Sequence, residues 1–278
     1  MRNLKGWADL HIHSSFSDGE WSPQEIIQEV VRLGLRAIAI TDHDSVSAIA
    51  KAEKEASTAG IELIPAVEIN TDYNDREIHI LGYYIDIEYP QLLKALKKQR
   101  EARLRRNEEI IKRLKKLGFK LTLEEVLERA KGESIGRPHI AQTLVDKGYA
   151  ESKEEAFSKW LKRDSPAYVP RYSMFWQEAV RIINQAGGIA VLAHPGKSFV
   201  DHLIPQMVKE GILGIEVWHP SHCPEDSLHY LEIVRAYSLL ATGGSDAHSK
   251  KDILLIEQCK VSYERVLALK ERKKSLSI

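Results

Sequence analysis

Histidines and carboxylates at alternate positions mark both ends of this chain. Near its start, Ala8-Asp9-Leu10-His11-Ile12-His13-Ser14-Ser15-Phe16-Ser17-Asp18-Gly19 reads as an apolar strand running into a turn. Side chains two apart on a strand share a face, so His11 and His13 aim at one point, and Asp18 can fold back to it from the turn. Near the far end, Gly243-Gly244-Ser245-Asp246-Ala247-His248 repeats the alternation with Asp246 and His248. Between them, His43, Glu68, His194 and His219 each fall at or just past the end of a strand-like stretch, and His79 lies within one. Scattered surface histidines have no reason to track strand ends. The pattern points to a cation site at one end of a sheet or barrel, where such folds build their active sites.

Nine donors (His11, His13, Asp18, His43, Glu68, His79, His194, Asp246 and His248) exceed the needs of one ion. With shared carboxylates they suit two or three divalent cations. Imidazole and carboxylate without thiolate fit Mn, Fe or Zn and do not choose among them. Ions a few Å apart would hold a bridging hydroxide as nucleophile and clamp the oxygens of a reacting phosphate, so the chemistry implied is metal-assisted hydrolysis.

The elements that must position these residues follow from periodicity. Ser22-Pro23-Gln24-Glu25 is a helix start, with Ile26, Ile27, Val30, Val31 and Leu33 at helical spacing before Gly34. Strand-like runs at 36–41, 61–69 and 77–84 alternate with a helix over 45–59, giving a βα repeat with a mostly parallel sheet. From Tyr89 to about Pro170 only helical periodicity is found, including a long helix ending at Gly118, a capping box at Thr122 and Glu125, and further helices at 137–147 and 152–161. Residues 91–133 carry 14 Lys and Arg against 7 Asp and Glu, a basic helical insert. The βα repeat resumes at Trp176, with strands at 189–193, 213–218 and 239–242 and a surface helix expected over 263–274. The reading is therefore a βα repeat formed by 1–89 and 171–278, interrupted by an all-helical insertion over 90–170.

The chain has 278 residues with Lys+Arg and Asp+Glu equal at 40 each, so no global charge argues for nucleic acid or a membrane surface. Two cysteines, Cys223 and Cys259, make a disulfide framework unlikely to arise and suit a reducing cytoplasm. Met1 to Trp7 lacks the apolar stretch of a signal peptide, and no run reaches the roughly 20 apolar residues of a membrane span. No obligate protein partner is evident.

The chain resembles the PHP (polymerase and histidinol phosphatase) family. The resemblance rests on Asp9-Leu10-His11-Ile12-His13-Ser14, Ser17-Asp18-Gly19, Thr41-Asp42-His43-Asp44, Pro65-Ala66-Val67-Glu68, His79-Ile80-Leu81-Gly82, Ala193-His194-Pro195 and Gly244-Ser245-Asp246-Ala247-His248, in this order. It implies a distorted (β/α)7 barrel with a trinuclear metal centre. All nine donors match family ligand positions, and Asp18 stands where some members have histidine.

Gly136-Arg137-Pro138-His139-Ile140-Ala141 and Pro166-Ala167-Tyr168-Val169-Pro170 are similar to the stand-alone phosphoesterase branch. That branch implies a nucleoside 3′,5′-bisphosphate or a short 5′-phosphorylated oligonucleotide as substrate. Arg137 and His139 at a helix start suit a phosphate anchor, to which Arg171, Lys197 and His219 could add. His194, His219 and Asp246 are the candidates to protonate the leaving oxygen. Competing readings are a histidinol-phosphate-type monoester phosphatase and a non-catalytic, metal-stabilised nucleic-acid-binding module. The remaining polar residues read as structural: Asp42 and Asp44 orienting His43 or capping the next helix, Arg100–Arg106 as a solvated helix face, and His202, His222 and His229 as ordinary surface or helix residues. Trp160, Phe175 and Trp176 read as core.

Overall fold

The computed structural model describes residues 5–74, 76–130, 132, 134–170 and 174–276. Its strands are β1 (Trp7–Ile12), β2 (Ala37–Ile40), β3 (Glu62–Tyr73), β4 (Arg76–Tyr83), β5 (Met174–Phe175), β6 (Ile189–Leu192), β7 (Gly214–Trp218), β8 (Leu240–Gly243) and β9 (Val261–Ser262). They form one sheet in the order β8-β7-β6-β4-β3-β2-β1-β9, with β5 beside β3. The sheet curls almost closed. Ile12 bridges Ala247, the His13 N–H donates to Ala247 O at 3.0 Å, and the Asp246 N–H donates to His11 O at 2.8 Å. The first strand and the segment after β8 are thereby stitched together, which brings the two alternating His/Asp motifs side by side.

The α/β barrel expected from the sequence is present, with one departure from regular βα alternation. β3 and β4 form a long hairpin, so β4 runs antiparallel to both β3 and β6. The hairpin register sets Asn70 opposite His79, and Glu68 lies two residues before Asn70 on the same face. A regular crossover helix at this point would put His79 elsewhere.

The helices are α1 (Pro23–Arg32), α2 (Ser47–Ala59), α3 (Pro90–Lys116), α4 (Leu123–Leu127), α5 (Arg137–Asp146), α6 (Lys153–Ala156), α7 (Trp176–Gln185), α8 (Pro195–Ser198), α9 (Ile204–Lys209), α10 (Pro224–Ala236), α11 (Ile253–Cys259) and α12 (Tyr263–Leu276). The Ser22/Glu25 and Thr122/Glu125 capping boxes are both formed. A box of this kind satisfies two orphan amides at a helix start, and losing the cap side chain typically costs about 1 kcal/mol. The helix expected over 152–161 is α6 followed by a π-helical turn, Phe157–Leu161.

Three apolar clusters fill the barrel and its flanks, and Trp176 is fully buried in the largest. The C-terminal helix α12 is not a surface helix. Tyr263, Val266 and Leu269 are buried against Ala8, Leu10 and Val191 and close the end of the barrel away from the donors. A fourth cluster is made entirely of residues between Ile110 and Ala167, including Leu114, Leu121, Val126 and Leu144. The helical insert thus has a core of its own. Its long helix α3 begins in the barrel core at Leu92 and Leu96 and ends in the insert core at Leu114, so one rigid rod joins the two.

Candidate metal centre and phosphate cleft

The donor residues converge at one end of the barrel. His11, at the end of β1, turns Nδ1 to Glu216 Oε1 at 2.9 Å and Nε2 towards His13 Nε2 at 3.1 Å. His13 Nε2 also faces Asp246 Oδ1 at 3.1 Å and Glu68 Oε2 at 3.3 Å. Glu68 is the hub: Oε2 meets His43 Nδ1 at 2.8 Å, and Oε1 meets His79 Nδ1 at 2.8 Å and His194 Nε2 at 3.0 Å. On the other side, Asp18 faces His248 Nε2 at 3.4 Å and His43 Nε2 at 3.9 Å. All nine expected donors lie in this one cluster.

Three overlapping groups have donor atoms within 4.8 Å of one another: His13, Asp18, His43 and His248; His11, His13 and Asp246; and His43, Glu68 and His79. The donor set fits divalent cations on a second ground. Asp18 Oδ1, Glu68 Oε2, His79 Nε2 and His194 Nδ1 are buried with no hydrogen-bond partner among the described residues. Buried polar atoms left unpaired are costly, and four of them on residues of one cluster of imidazoles and carboxylates fit a site that a cation would complete.

The surroundings hold the donors in place. Glu216 Oε2 accepts the His194 N–H at 2.8 Å while Oε1 takes the His11 ring, so one buried carboxylate ties β1 to the β6–α8 turn. Asp9 Oδ1 accepts the His11 and Ser245 N–H groups at 3.1 and 3.0 Å. Gly244 is required here, because a Cβ on it would lie 2.4 Å from His11 Cβ. Asp42 does not touch His43. It accepts from Ser14 N–H at 2.7 Å and Ser17 Oγ at 2.6 Å, ordering the turn that carries Asp18. Asp44 accepts from Asn70 N–H at 3.1 Å and Asn70 Nδ2 at 3.1 Å, and Asn70 in turn touches His43 Nδ1 at 3.0 Å. His194 and Asp246 both have positive φ, 27° and 51°, a strained backbone for residues with a Cβ that is kept where surrounding structure over-determines it.

Electrostatics divide the imidazoles. Burial opposes charge on His11, yet the Glu216, Glu68 and Asp246 carboxylates lift its pKa well above the imidazole range. His13 is likewise held up, at about 10, by Asp246 and Glu68 against burial. Burial dominates at His194, pushing it down to about 4. Glu216 is lowered to about 2, because the facing His11 outweighs burial.

A cleft of about 700 Å³ opens over this cluster, walled by His79, His194, Asp246 and His248 and rimmed by Lys197 and Phe199. Lys197 Nζ donates to Asp246 Oδ2 at 2.9 Å, and His219 Nε2 faces the same oxygen at 3.2 Å. The Ser221 N–H donates to His219 Nδ1 at 3.0 Å, and Ser221 Oγ lies 2.7 Å from the same nitrogen. Arg137, at the start of α5, donates to Glu77 Oε1 at 3.0 Å on the ridge beside the cleft. His139 does not join it. Its Nδ1 accepts the Gly136 N–H at 3.0 Å, capping its own helix, and its ring lines a neighbouring cavity with Asp18 and Lys153. Arg171 lies outside the described residues.

Several functional neighbours escape a reading by residue type. Glu216 is the clearest, although a single carboxylate within the apolar run Ile215-Glu216-Val217 was a usable signal. The run Arg100–Arg106 is not a solvated face. Gln99 donates to Asn70 O at 2.7 Å, Arg100 to Asp44 O at 2.8 Å and Arg103 Nε to Asp44 Oδ2 at 2.7 Å, so α3 grips the loops that carry His43. His222 accepts the Gly196 N–H at 3.1 Å and braces the loop after His194. Trp160 packs edge-on against Phe119 in the insert, but Phe175 is exposed rather than core.

Comparison with known proteins agrees with this geometry. The family model described as PHP domain matches residues 9–163. The 5′-3′ exoribonuclease Rnm of Escherichia coli K12 is 36% identical over 247 residues, covering 86% of this chain and 84% of that protein. The 3′,5′-nucleoside bisphosphate phosphatase of Chromobacterium violaceum is 33% identical over 247 residues, covering 87% of each chain. A solved structure from Bifidobacterium adolescentis, assigned as a metal-dependent phosphoesterase, superposes with a TM-score of 0.82 at 31% identity over 90% of this chain and 94% of that one.

Proposed function

The chain belongs to the PHP domain family and is a metal-dependent phosphoesterase, and from that premise we propose that it hydrolyses a phosphate ester of a nucleoside 3′,5′-bisphosphate or of a short 5′-phosphorylated oligonucleotide. The observation that carries this reading is the pairing of one donor cluster with cationic side chains on two sides of it. Lys197 lines the cleft, and Arg137, at the start of α5, lines a smaller neighbouring pocket that also reaches His43 and His79. A single-phosphate substrate needs only the cluster. A second anion would compete with Glu77 for the Arg137 guanidinium, and the relatives named for a bisphosphate phosphatase and an exoribonuclease act on such molecules.

His11, His13, Asp18, His43, Glu68, His79, His194, Asp246 and His248 would hold two to three divalent cations, of which Mn, Fe and Zn all suit the donors. When bound, such ions act as Lewis acids that activate water and neutralise the charge of the phosphoryl oxygens. The chain's own groups do the rest. His194 and Asp246 are turned into the donor cluster, and Asp246 is held well below the carboxylate range by burial-opposing His11 and Lys197, so neither is a proton donor. His219 remains. Its Nε2 lies 3.2 Å from Asp246 Oδ2 at the cleft edge, and we assign its imidazolium form the proton delivered to the leaving oxygen. Lys197 adds positive charge at the same edge.

The test is hydrolysis with Mn²⁺ of adenosine 3′,5′-bisphosphate, AMP, a 5′-phosphorylated dinucleotide and histidinol phosphate, read as released phosphate and, for the dinucleotide, as released mononucleotide. The reading expects one of the two polyanionic nucleotides to be the best substrate. Histidinol phosphate as the best substrate would favour the monoester phosphatase, and nucleotide binding without any hydrolysis would favour a binding module.

A further inference from the structure

The turn after β6 carries two groups of the site, His194 in the donor cluster and Lys197 on Asp246. It is the four-residue helix α8, flanked on both sides by left-handed backbone, His194 at φ 27° and Phe199 at φ 52°. Residues with a Cβ keep such backbone only where their surroundings over-determine it. The amides of the turn show what does so. The His194 N–H goes to Glu216 Oε2 at 2.8 Å, and Pro195 has none to give. The Lys197 N–H donates to His194 O at 3.0 Å and the Phe199 N–H to Pro195 O at 3.1 Å. The Gly196 N–H leaves the turn and is accepted by His222 Nε2 at 3.1 Å.

His222 stands between β7 and α10, and two backbone groups fix its ring. Val217 O, 2.9 Å from Nδ1, can only accept, so Nδ1 carries the hydrogen. The Gly196 N–H can only donate, so Nε2 presents a lone pair. Burial pushes His222 below the ordinary imidazole range and favours this same neutral form. A Cβ on Gly196 would lie 2.7 Å from His222 Cδ2, so the ring rests directly on the backbone of the turn. The rings of Tyr230 and His219 flank it at 5.0 and 5.5 Å. Beyond the turn, Asp201 accepts from Tyr230 Oη at 3.3 Å and meets His229 Nε2 at 2.8 Å, so α10 holds the segment a second time. A ring that only filled space would need neither nitrogen.

We propose that His222 is a positioning residue for phosphoester hydrolysis: its Nε2 lone pair fixes the Gly196 amide and so keeps His194 in the donor cluster and Lys197 against Asp246. It rests on the reading above that this cluster and Lys197 serve the reaction. His222 touches neither the donors nor the main cleft, and it acts through one backbone hydrogen bond.

The experiment separates the two nitrogens. His222→Gln places an amide oxygen where Nε2 stands and gives up the Val217 contact. His222→Asn keeps a donor for Val217 O and is too short to reach Gly196. His222→Phe keeps the ring and loses both contacts. The readouts are kcat with Mn²⁺ on adenosine 3′,5′-bisphosphate and p-nitrophenyl phosphate, Mn²⁺ affinity by equilibrium dialysis, and Tm. His222→Asn and His222→Phe are expected to lose about tenfold or more in kcat and in Mn²⁺ affinity, as when other groups that orient metal-binding residues are removed, while His222→Gln stays within about twofold of wild type. The Tm of His222→Gln and His222→Asn is expected to be the same, since each keeps one of the two contacts. Equal losses in these two variants, losses that follow Tm alone, or full activity and metal affinity in His222→Phe would overturn the assignment. If wild type hydrolyses neither substrate, the functional reading fails, and the order of Mn²⁺ affinities among the variants still decides the role of His222 by itself.

Discussion

Glu216 and His11 meet at 2.9 Å with both side chains fully buried, and the same carboxylate holds the His194 backbone N–H at 2.8 Å. One acid therefore sets the tautomer of the first imidazole in the chain and the position of another. Carboxylates behind metal-binding histidines typically contribute 10–100-fold in metal affinity. Glu216→Gln is expected to weaken Mn²⁺ binding by about that factor while the fold is retained, measured by equilibrium dialysis against buffered metal. Unchanged affinity would remove Glu216 from the site.

Protonation links metal binding to pH. Divalent cations need neutral imidazole, but His13, held at about 10, and His11, raised well above the usual range, are charged near neutral pH in the metal-free chain. Loading is expected to release protons, and affinity is expected to rise with pH. His194, pushed down to about 4 by burial, contributes none of these protons. Calorimetry in buffers of different ionisation enthalpy measures the release, and a value of zero would contradict the account.

The same shift has a consequence for stability. The folded pKa of His13 lies above its unfolded value of about 6.5, so protonation stabilises the metal-free fold fully below about 6.5 and fades as pH rises towards 10. The Tm of metal-free protein is expected to fall between about pH 6.5 and 9, and that of loaded protein to stay level. A flat metal-free profile would show that His13 is neutral in the fold.

His219→Gln keeps a donor towards Asp246 but cannot transfer a proton. Its kcat on adenosine 3′,5′-bisphosphate, whose leaving group is a poor alkoxide, is expected to drop by about 10²-fold or more. The loss on p-nitrophenyl phosphate, whose leaving group needs no proton, is expected to be much smaller. Equal losses on both substrates would assign His219 a positioning role instead.

Arg137→Ala is expected to raise KM for bisphosphates far more than for a simple aryl phosphate, since its guanidinium stands at the ridge beside the cleft and not among the donors. Equal effects on both would take Arg137 out of phosphate binding.

The donor cluster was readable in the sequence because its residues carry their own signal: histidines and carboxylates at alternate positions where strands end. His11, His13, Asp246 and His248 needed only the two-residue strand period. The supporting layer was less readable. Glu216 and Asp9 look like interruptions of apolar strands until the barrel closes around them. Arg103 and Arg106 sit in a run of charges whose composition says solvent, and only the packing of α3 turns them inward, Arg103 to Asp44 and Arg106 to the Val169 carbonyl. His139 shows the opposite case: it lies at a helix start among good anchor residues, and its Nδ1 is taken by the Gly136 N–H, a local contact that residue type does not reveal. The antiparallel β3–β4 hairpin, too, depends on pairing that local periodicity does not encode.

The most direct test of the central claim measures metal content and phosphate release on one preparation. Elemental analysis and turnover of adenosine 3′,5′-bisphosphate are recorded before chelation, after exhaustive chelation and after Mn²⁺ is restored. The account predicts that activity disappears with the metal and returns with Mn²⁺. Full turnover in protein shown to hold no metal would contradict it.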